Sequence, residues 1–211
     1  METIAVFGAS GRTGQQVILA ALARGYAVRA ICRPTSTMSI LHSNLLRMNG
    51  SLLDPLFVRQ AIQGVSAVVI ALGPHMSRKE VFLASATRAI VQAMQHKDVK
   101  RLICVTGTLI GEFPRRRSWF VRWMQTRFRK SRPQMYRDRE EQEALIQQTD
   151  LAWTIVKPPR LTTGNRTGRY QTGLDLEVSA FSKLSRADLA DFIVSQLFSM
   201  KHTRQMPVVL G

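Results

Sequence analysis

Acidic residues are scarce in this 211-residue chain, which carries 14 Asp and Glu against 30 Lys and Arg, a formal net charge of +16. Between Glu2 and Asp54 there is no acidic residue at all. A balance this basic predicts attraction to anionic partners. Nucleic acid, an anionic membrane surface, phosphates and carboxylated small molecules all remain open on charge alone.

Other features that would define a special class of protein are also missing. The opening METIAVFGAS lacks the basic and long apolar regions of a signal peptide, and no apolar run approaches the roughly 20 residues of a membrane span. The only cysteines, Cys32 and Cys104, lie in apolar strand-like runs, which favours buried reduced thiols over a disulfide. The four histidines are scattered, and no Cys/His pair has metal-ligand spacing. We therefore expect a cytoplasmic protein with no metal and no transmembrane segment.

Apolar runs alternate with helical patterns along the whole chain. The runs predict strands at 3–7, 27–32, 45–49, 65–72, 101–106, 152–157 and 206–210, and helices at 13–24, 54–64, 78–96 and 186–200, with a basic helical region at 115–147. The last helix starts in a capping-box pattern at Ser185 and Asp188. This alternation predicts an α/β fold, a single Rossmann-like domain over 1–211 with a doubly wound parallel sheet. Ligands of such sheets bind beyond the carboxyl ends of the strands.

The stretch VFGASGRTGQQ, residues 6–16, contains three glycines spaced three apart between the first strand and the first helix. Glycine suits a tight turn that must approach a pyrophosphate closely, and the helix N-terminus then offers its N–H groups to the anion. A tight turn without a ligand is the alternative. The predicted cofactor contacts in this loop are Gly8, Ser10, Gly11, Arg12, Thr13 and Gly14.

The choice between NAD and NADP follows from a missing acid. An NAD site places Asp or Glu at the end of the second strand to bind the ribose 2′-hydroxyl, and this chain has Arg33 there. Arginine pairs with a 2′-phosphate, so the predicted cofactor is NADP(H), with Arg12 in support and Ser51 as a further contact. Arg29 has the same strand parity as Arg33 but lies further back, and it needs no function.

Six segments together resemble the atypical short-chain dehydrogenase/reductases: VFGASGRTG, Cys32-Arg33-Pro34, the ALG at 71–73, Thr106-Gly107-Thr108, DLAWTIVKPPRLTTG at 150–164 and SRADLADFIV at 185–194. The compact size and Lys157-Pro158-Pro159 look most like the biliverdin-IXβ reductase, or flavin reductase, family. That resemblance implies a monomeric NADPH-dependent enzyme that passes hydride to a flat conjugated acceptor, such as biliverdin, another linear tetrapyrrole, or FMN. The same superfamily also holds redox-sensing regulators and nucleotide-sugar epimerases.

The resemblance also implies a set of residues at the nicotinamide end. Leu72, Gly73 and Pro158 would contact the cofactor, and Thr106 would present a catalytic hydroxyl near the reacting ring. An ordinary strand-end hydroxyl is the alternative for Thr106. The expected substrate contacts are Thr108, Trp119, Arg139, Pro159 and Arg160. The positions of Arg139 and Arg160 tend to carry histidine in that family, and arginine can bind a carboxylate but cannot release a proton.

An alcohol-oxidising pair is absent. The ordinary short-chain dehydrogenase uses Tyr-x-x-x-Lys, whose tyrosine transfers a proton to or from a substrate oxygen. Here the tyrosines are Tyr26, Tyr136 and Tyr170, and the residue four after Tyr136 is Glu140. This argues against epimerase and ketoreductase chemistry. A flavin or tetrapyrrole does not require the pair, because its conjugated ring takes the hydride and water can supply the proton.

Residues 113–137 contain nine basic residues and no acid. Trp119, Phe120, Trp123, Met124 and Phe128 recur at helical spacing, which predicts an apolar face opposite an arginine-rich one. The segment can be a helix with a solvated basic face, a lid whose aromatics and arginines meet the acceptor, or a contact for nucleic acid, an anionic membrane or a protein. Two functions therefore compete: a reductase, and an NADP(H)-sensing protein that uses this stretch on a partner without turnover.

Overall fold

Six parallel strands form the main sheet of the computed structural model, which describes residues 1–73, 82–111 and 119–211. The strands are β1 (Thr3–Phe7), β2 (Ala27–Cys32), β3 (Leu45–Asn49), β4 (Ala67–Ile70), β5 (Arg101–Val105) and β6 (Ala152–Val156). The helices are α1 (Arg12–Ala23), α2 (Pro55–Ile62), α3 (Leu83–His96), α4 (Trp119–Ser131), α5 (Pro133–Gln147) and α6 (Arg186–Ser195). The strand order β3-β2-β1-β4-β5-β6 confirms the predicted doubly wound, Rossmann-like α/β sheet.

The two faces of the sheet carry separate hydrophobic cores, because successive strand residues point to opposite sides. On β1, Ile4 and Val6 belong to the core under α1 and α6, whereas Ala5 and Phe7 belong to the core under α2, α3 and α5. Every residue of β4 and β5 is buried. Strands covered on both faces read as continuous apolar runs, which is why the sequence predicted them so directly.

Several predicted boundaries differ from the observed ones. The helix predicted at 78–96 begins at Leu83, with Phe82 as its N-cap, and residues 78–81 of the predicted range lie outside the described part of the chain. The basic region 115–147 contains two helices, with Pro133 starting the second, while 113–118 also lie outside the described residues. The last predicted helix ends at Ser195 rather than at 200.

The sequence reading missed three short strands near the C-terminus. These are β7 (Arg160–Thr162), β8 (Gln171–Gly173) and β9 (Lys183–Ser185), each too short to show a two-residue alternation. The final strand, β10 (Val208–Leu210), pairs with β8, and its segment meets β6 of the main sheet through two isolated parallel bridges, Thr154 with Gln205 and Lys157 with Val208.

Arg29 has a structural role that the sequence did not reveal. Its guanidinium donates to the carbonyl oxygens of Gln60 (3.2 Å), Ala61 (2.9 Å) and Gln63 (2.8 Å), at the C-terminal end of α2. A cation there satisfies the last carbonyls of the helix and interacts favourably with its dipole. This binding keeps Arg29 away from the carboxyl ends of the strands.

Helix α5 buries charged and polar side chains against the sheet. Asp138, Arg139, Gln142 and Glu143 are all buried, on the same helix face as Ile146. The Asp138 carboxylate accepts hydrogen bonds from the backbone N–H groups of Phe82 (3.2 Å), Leu83 (3.0 Å) and Ala84 (2.8 Å). It therefore caps the N-terminus of α3, which has no acidic residue in its own first turn.

Arg139, the next residue, joins the ends of two strands. Its guanidinium donates to the carbonyl oxygens of Leu72 after β4 (2.8 Å) and of Val105 in β5 (3.2 Å), and to Oε1 of Gln142 (2.7 Å). Gln142 in turn donates to Oγ1 of Thr87 in α3 (2.8 Å). Helix α5 thus holds α3, β4 and β5 in one arrangement.

We predict that Asp138→Ala lowers the free energy of unfolding by about 2–4 kcal/mol, because two buried N–H groups and one partly buried N–H group lose a charged acceptor. The matched control is Glu141→Ala on the same helix, whose ion pair with Arg88 (3.0 Å) is about half exposed and contributes at most about 0.5 kcal/mol. Urea unfolding of both variants measures the difference. Similar losses for the two would contradict the capping role.

Candidate functional site

The glycine loop turns so tightly that side chains are excluded at two of its positions. Gly8 has a φ of +84°, and a Cβ there would lie 2.7 Å from the carbonyl oxygen of Ala71. A Cβ at Gly14 would overlap the carbonyl oxygen of Gly8. The turn is closed by a hydrogen bond from the N–H of Gly11 to that same oxygen, at 3.0 Å. The loop therefore passes directly beside the end of β4.

Helix α1 starts without a side-chain cap. Its N-cap residue is Gly11, and no side chain accepts from its first N–H groups, whereas Asp54 caps α2 and Ser185 caps α6. The N–H groups of Arg12 and Thr13 consequently have no side-chain acceptor at the positive end of the helix dipole. These groups fit the pyrophosphate of a dinucleotide.

The segment after β2 is held against the glycine loop. Arg33 is exposed at the end of β2, and the N–H of Ser36 donates to its carbonyl oxygen at 3.0 Å. The hydroxyl of Ser10 in the glycine loop donates to the hydroxyl of Ser36 at 3.2 Å. Ser10, Arg12 and Arg33 therefore border the same edge, where the adenosine end of a dinucleotide would lie.

Arg47 is a residue at this edge that sequence reasoning missed. Its guanidinium donates to the carbonyl oxygen of Ser36, and its Nε donates to Oδ1 of Asn49 at 2.9 Å. It lies on β3 opposite Ala30, so only the strand register, and not its distance along the chain, brings it near Arg33. The feature that could have located Arg47 is its position in β3, a strand that runs parallel to β2.

The opposite end of the site consists of the segments after β4, β5 and β6. We call it the hydride end, because the resemblance predicts hydride transfer there. The N–H of Thr106 donates to the carbonyl oxygen of Val156 (3.0 Å), and that of Thr108 to the carbonyl oxygen of Pro158 (3.1 Å). These bonds continue the β5–β6 pairing beyond the strands. Gly73, after β4, is exposed, and a Cβ there would meet no atom within 4 Å.

The hydroxyl of Thr106 is buried and has no hydrogen-bond partner among the residues that the structure describes. Buried hydroxyl groups in proteins are nearly always hydrogen-bonded, so an orphaned one at a strand end favours a ligand as its partner. Together with the open N–H groups of α1, this shows that the residues present fit a dinucleotide.

Lys157, which precedes Pro158 in the motif that carries the resemblance, is fully buried. Its Nζ donates to the carbonyl oxygen of Ile110 (2.8 Å) and to Oε2 of Glu143 (2.9 Å). Gly111, with a φ of +64°, allows this close packing, because a Cβ there would lie 2.6 Å from the same carboxylate oxygen. The ion pair commits Lys157 to the interior of the protein.

The predicted substrate residues are not all brought to the hydride end. Thr108 is buried and Pro159 half-buried beside it, while Arg160 is exposed at the start of β7. Arg139 is buried, and its guanidinium donates hydrogen bonds to backbone carbonyl oxygens. This arrangement does not favour contact with a substrate carboxylate. Trp119 is 78% exposed on α4. Among the predicted cofactor contacts, Ser51 is exposed and its hydroxyl accepts from the N–H of Leu53.

The three tyrosines, all within the described residues, have partners elsewhere. Tyr26 packs on Phe198, and the hydroxyl of Tyr136 accepts from Gln125 at 2.7 Å. The hydroxyl of Tyr170 donates to Asp191 at 2.8 Å, and burial together with this hydrogen bond raises the pKa of Tyr170. The hydride end therefore has no tyrosine to exchange a proton with a substrate oxygen.

The cysteines and the candidate metal ligands of the described residues offer no alternative reactive group. Both cysteines are buried and form no disulfide, and burial raises the pKa of Cys104 to about 12. Within the described ranges, no three His, Cys, Asp or Glu side chains group as metal ligands would. No helix in those ranges has the length and apolar character to span a bilayer.

Comparison with known proteins agrees with this geometry. The sequence is 27% identical to the uncharacterized protein YwnB of Bacillus subtilis over 99% of this chain and 98% of that one. The fold is similar to a short-chain dehydrogenase/reductase of Veillonella parvula solved in complex with NADP (TM-score 0.80, 19% identity, 99% and 94% of the two chains). It is also similar to ChuY, an anaerobilin reductase of Escherichia coli O157:H7 (TM-score 0.77, 20% identity, 98% and 96%).

A model of one protein family covers most of the chain. The NAD(P)H-binding family matches residues 8–199, from the first glycine of the loop to beyond α6. The predicted class of cofactor is thereby confirmed, and the chain belongs to the NAD(P)H-binding family.

Proposed function

We propose that this protein is an NADPH-dependent reductase that passes hydride to a conjugated acceptor, a linear tetrapyrrole such as biliverdin or a flavin such as FMN. The observation that carries the proposal is the composition of the hydride end. Among the described residues, it combines a buried Thr106 hydroxyl that has no hydrogen-bond partner, no tyrosine, and a lysine that forms a buried ion pair. These residues can position a ring but offer no acid–base pair for an alcohol.

The adenosine end supports NADP(H) over NAD(H). Arg12, Arg33 and Arg47 border it, and the first acid after Glu2 in the sequence is Asp54. Guanidinium groups form charge-assisted hydrogen bonds to a phosphate, and no carboxylate is placed there for a ribose 2′-hydroxyl. The Veillonella parvula protein with NADP has the same fold, which agrees with this assignment.

At the hydride end the proposed work is positioning. When bound, NADPH supplies the hydride. Leu72 and Gly73 would border its nicotinamide ribose, Thr106 would hold the reacting ring by one hydrogen bond, and Pro158 and Pro159 would form an adjoining wall. Bringing two reactants into near-attack geometry removes much of the barrier to a hydride transfer. Water supplies the accompanying proton in this proposal.

A conjugated acceptor suits these residues better than a ketone or a sugar. A flavin or bilin takes hydride into an extended ring system and needs no side-chain proton donor at the same atom. The exposed Arg160 beside Pro159 can attract the carboxylates or phosphate that such acceptors carry. Similarity to an anaerobilin reductase supports an acceptor of the tetrapyrrole class.

The test of the proposal is turnover with a panel of acceptors. Purified protein should consume NADPH, followed by its absorbance, when biliverdin, FMN or FAD is present, and not with simple ketones. NADPH binding without consumption in any arm would instead favour an NADP(H)-sensing protein. Calorimetric titration with NADPH in the same preparation separates that outcome from a protein that does not bind the cofactor.

Arg33→Ala should weaken NADPH binding by roughly 1.5–3 kcal/mol, the scale of hydrogen bonds to a charged group. Binding of NADH should hardly change, because NADH lacks the 2′-phosphate. Calorimetric titration of both cofactors measures the two values. Arg59→Ala, an exposed arginine in the last turn of α2, is the matched control and should change neither. Equal losses for NADPH and NADH would contradict the assignment of Arg33.

Thr106→Val should slow acceptor reduction by about tenfold, about 1.4 kcal/mol, because the ring loses one positioning hydrogen bond. Single-turnover rates at saturating NADPH provide the measurement. Thr172→Val on β8 is the control for the same change outside the site. A collapse of four or more orders of magnitude with NADPH binding intact would show that Thr106 belongs to a proton relay.

A further inference from the structure

Helix α4 exposes two tryptophans to solvent. Trp119 is 78% exposed and Trp123 is 52% exposed, although large aromatic side chains usually lie mostly buried. The spacing of four places both on one side of the helix, and Thr126 and Lys130 continue that side. We call these four residues, with Arg122 and Arg127 along their margins, the outer face of α4.

Packing on the opposite side fixes this orientation. Val121 is almost fully buried in a small cluster with Val178 and Val208, and Met124 packs against the same cluster. Gln125 donates to the carbonyl oxygen of Gly111 (2.8 Å) and to the hydroxyl of Tyr136 (2.7 Å). The aromatic residues predicted to share one apolar face are therefore divided, and both tryptophans point away from the core.

The charge of this helix has one sign. Arg122, Arg127, Arg129 and Lys130 are all exposed, and residues 119–131 contain no acid. The net charge of +16 extends the same sign over the chain as a whole. Exposed indoles surrounded by basic side chains are the composition of helices that lie in the headgroup region of an anionic bilayer. There the indoles reach the acyl boundary and the basic side chains extend to the lipid phosphates.

The arrangement of the rings favours a lipid surface over nucleic acid. Single-stranded nucleic acid is bound by aromatic rings whose faces are open for base stacking. The ring of Trp123 already has Phe120 at a centroid distance of 5.7 Å and the guanidinium of Arg127 over it at 5.7 Å. Phe120 also meets the edge of Trp119 at 6.0 Å. The three rings form a compact apolar projection, which suits insertion between lipids more than stacking on bases.

We propose that the outer face of α4 docks the protein on anionic phospholipid surfaces, with Trp119 and Trp123 inserted at the interface and Arg122, Arg127 and Lys130 on the headgroup phosphates. The proposal does not rest on the reductase activity. It concerns a surface that is separate from the glycine loop and from Thr106.

The test uses the full chain and vesicles of phosphatidylcholine, with and without phosphatidylglycerol. Tryptophan emission should shift to shorter wavelength with the anionic vesicles and remain unchanged with phosphatidylcholine alone. Trp153 is only 7% exposed, so the change would come from Trp119 and Trp123. Added salt should weaken the binding, since each basic residue near an anionic surface contributes about fivefold in partitioning.

Variants assign the binding to this face by co-sedimentation with the anionic vesicles. The double variant Trp119→Ser with Trp123→Ser should lower partitioning of the protein onto the vesicles by about tenfold or more. The double variant Arg122→Gln with Lys130→Gln should lower it by about twentyfold. The matched controls remove an exposed leucine elsewhere, Leu41→Ser, or two distant charges, Arg59→Gln with Lys97→Gln. Melting curves verify that each variant is folded.

Three results would overturn the proposal. The first is equal binding to vesicles without the anionic lipid, and the second is tryptophan variants that bind as the parent chain does. The third is a chain that does not bind vesicles but does bind short single-stranded DNA, with Trp123→Ser abolishing the DNA binding. That result would assign the face to nucleic acid.

Discussion

The buried polar face of α5 is the constraint on which the rest of the site depends. Charged groups inside a protein are costly unless each one is paired and hydrogen-bonded. Asp138, Arg139 and Glu143 meet this condition through partners on α3, on the ends of β4 and β5, and on Lys157 after β6. A rotation of α5 about its axis would separate these charges from their partners, so the pairing fixes the orientation of the helix on the sheet. That orientation in turn fixes the relative positions of the segments that form the hydride end.

The two ends of the site are built on different physical principles. At the proposed adenosine end, exposed arginines would offer positive charge and serine hydroxyls hydrogen bonds to a phosphate, and Arg47 holds the 33–36 segment in place from a neighbouring strand. At the hydride end, backbone hydrogen bonds between Thr106–Thr108 and Val156–Pro158 define the shape. In the proposed function, cofactor affinity can therefore change at one end without disturbing the shape of the other.

The sequence predicted most of the sheet because its central strands are buried on both faces and read as unbroken apolar runs. It also located the glycine loop, since Gly8 and Gly14 occupy positions where no side chain fits. It predicted a helical region over α5 but not the burial of its polar face, because a helix that buries Asp138, Arg139 and Glu143 has the pattern of a solvated one. Arg47 and the division of the α4 aromatics depend on strand register and on packing partners from distant segments, which local spacing does not encode.

Gly111, Glu143 and Lys157 constrain how this chain can diverge. Loss of Lys157 alone removes the ion-pair partner of the buried Glu143 carboxylate, at a cost of about 3–5 kcal/mol, whereas replacing both residues of a buried pair with apolar residues of similar volume is often neutral. Any side chain at position 111 would also press on the carboxylate, 2.6 Å from where its Cβ would lie. Relatives should consequently keep all three residues or change them together. Positions 111 and 157 are 46 residues apart in the chain. Correlated changes at the three positions among relatives would then indicate that those relatives share the buried ion pair.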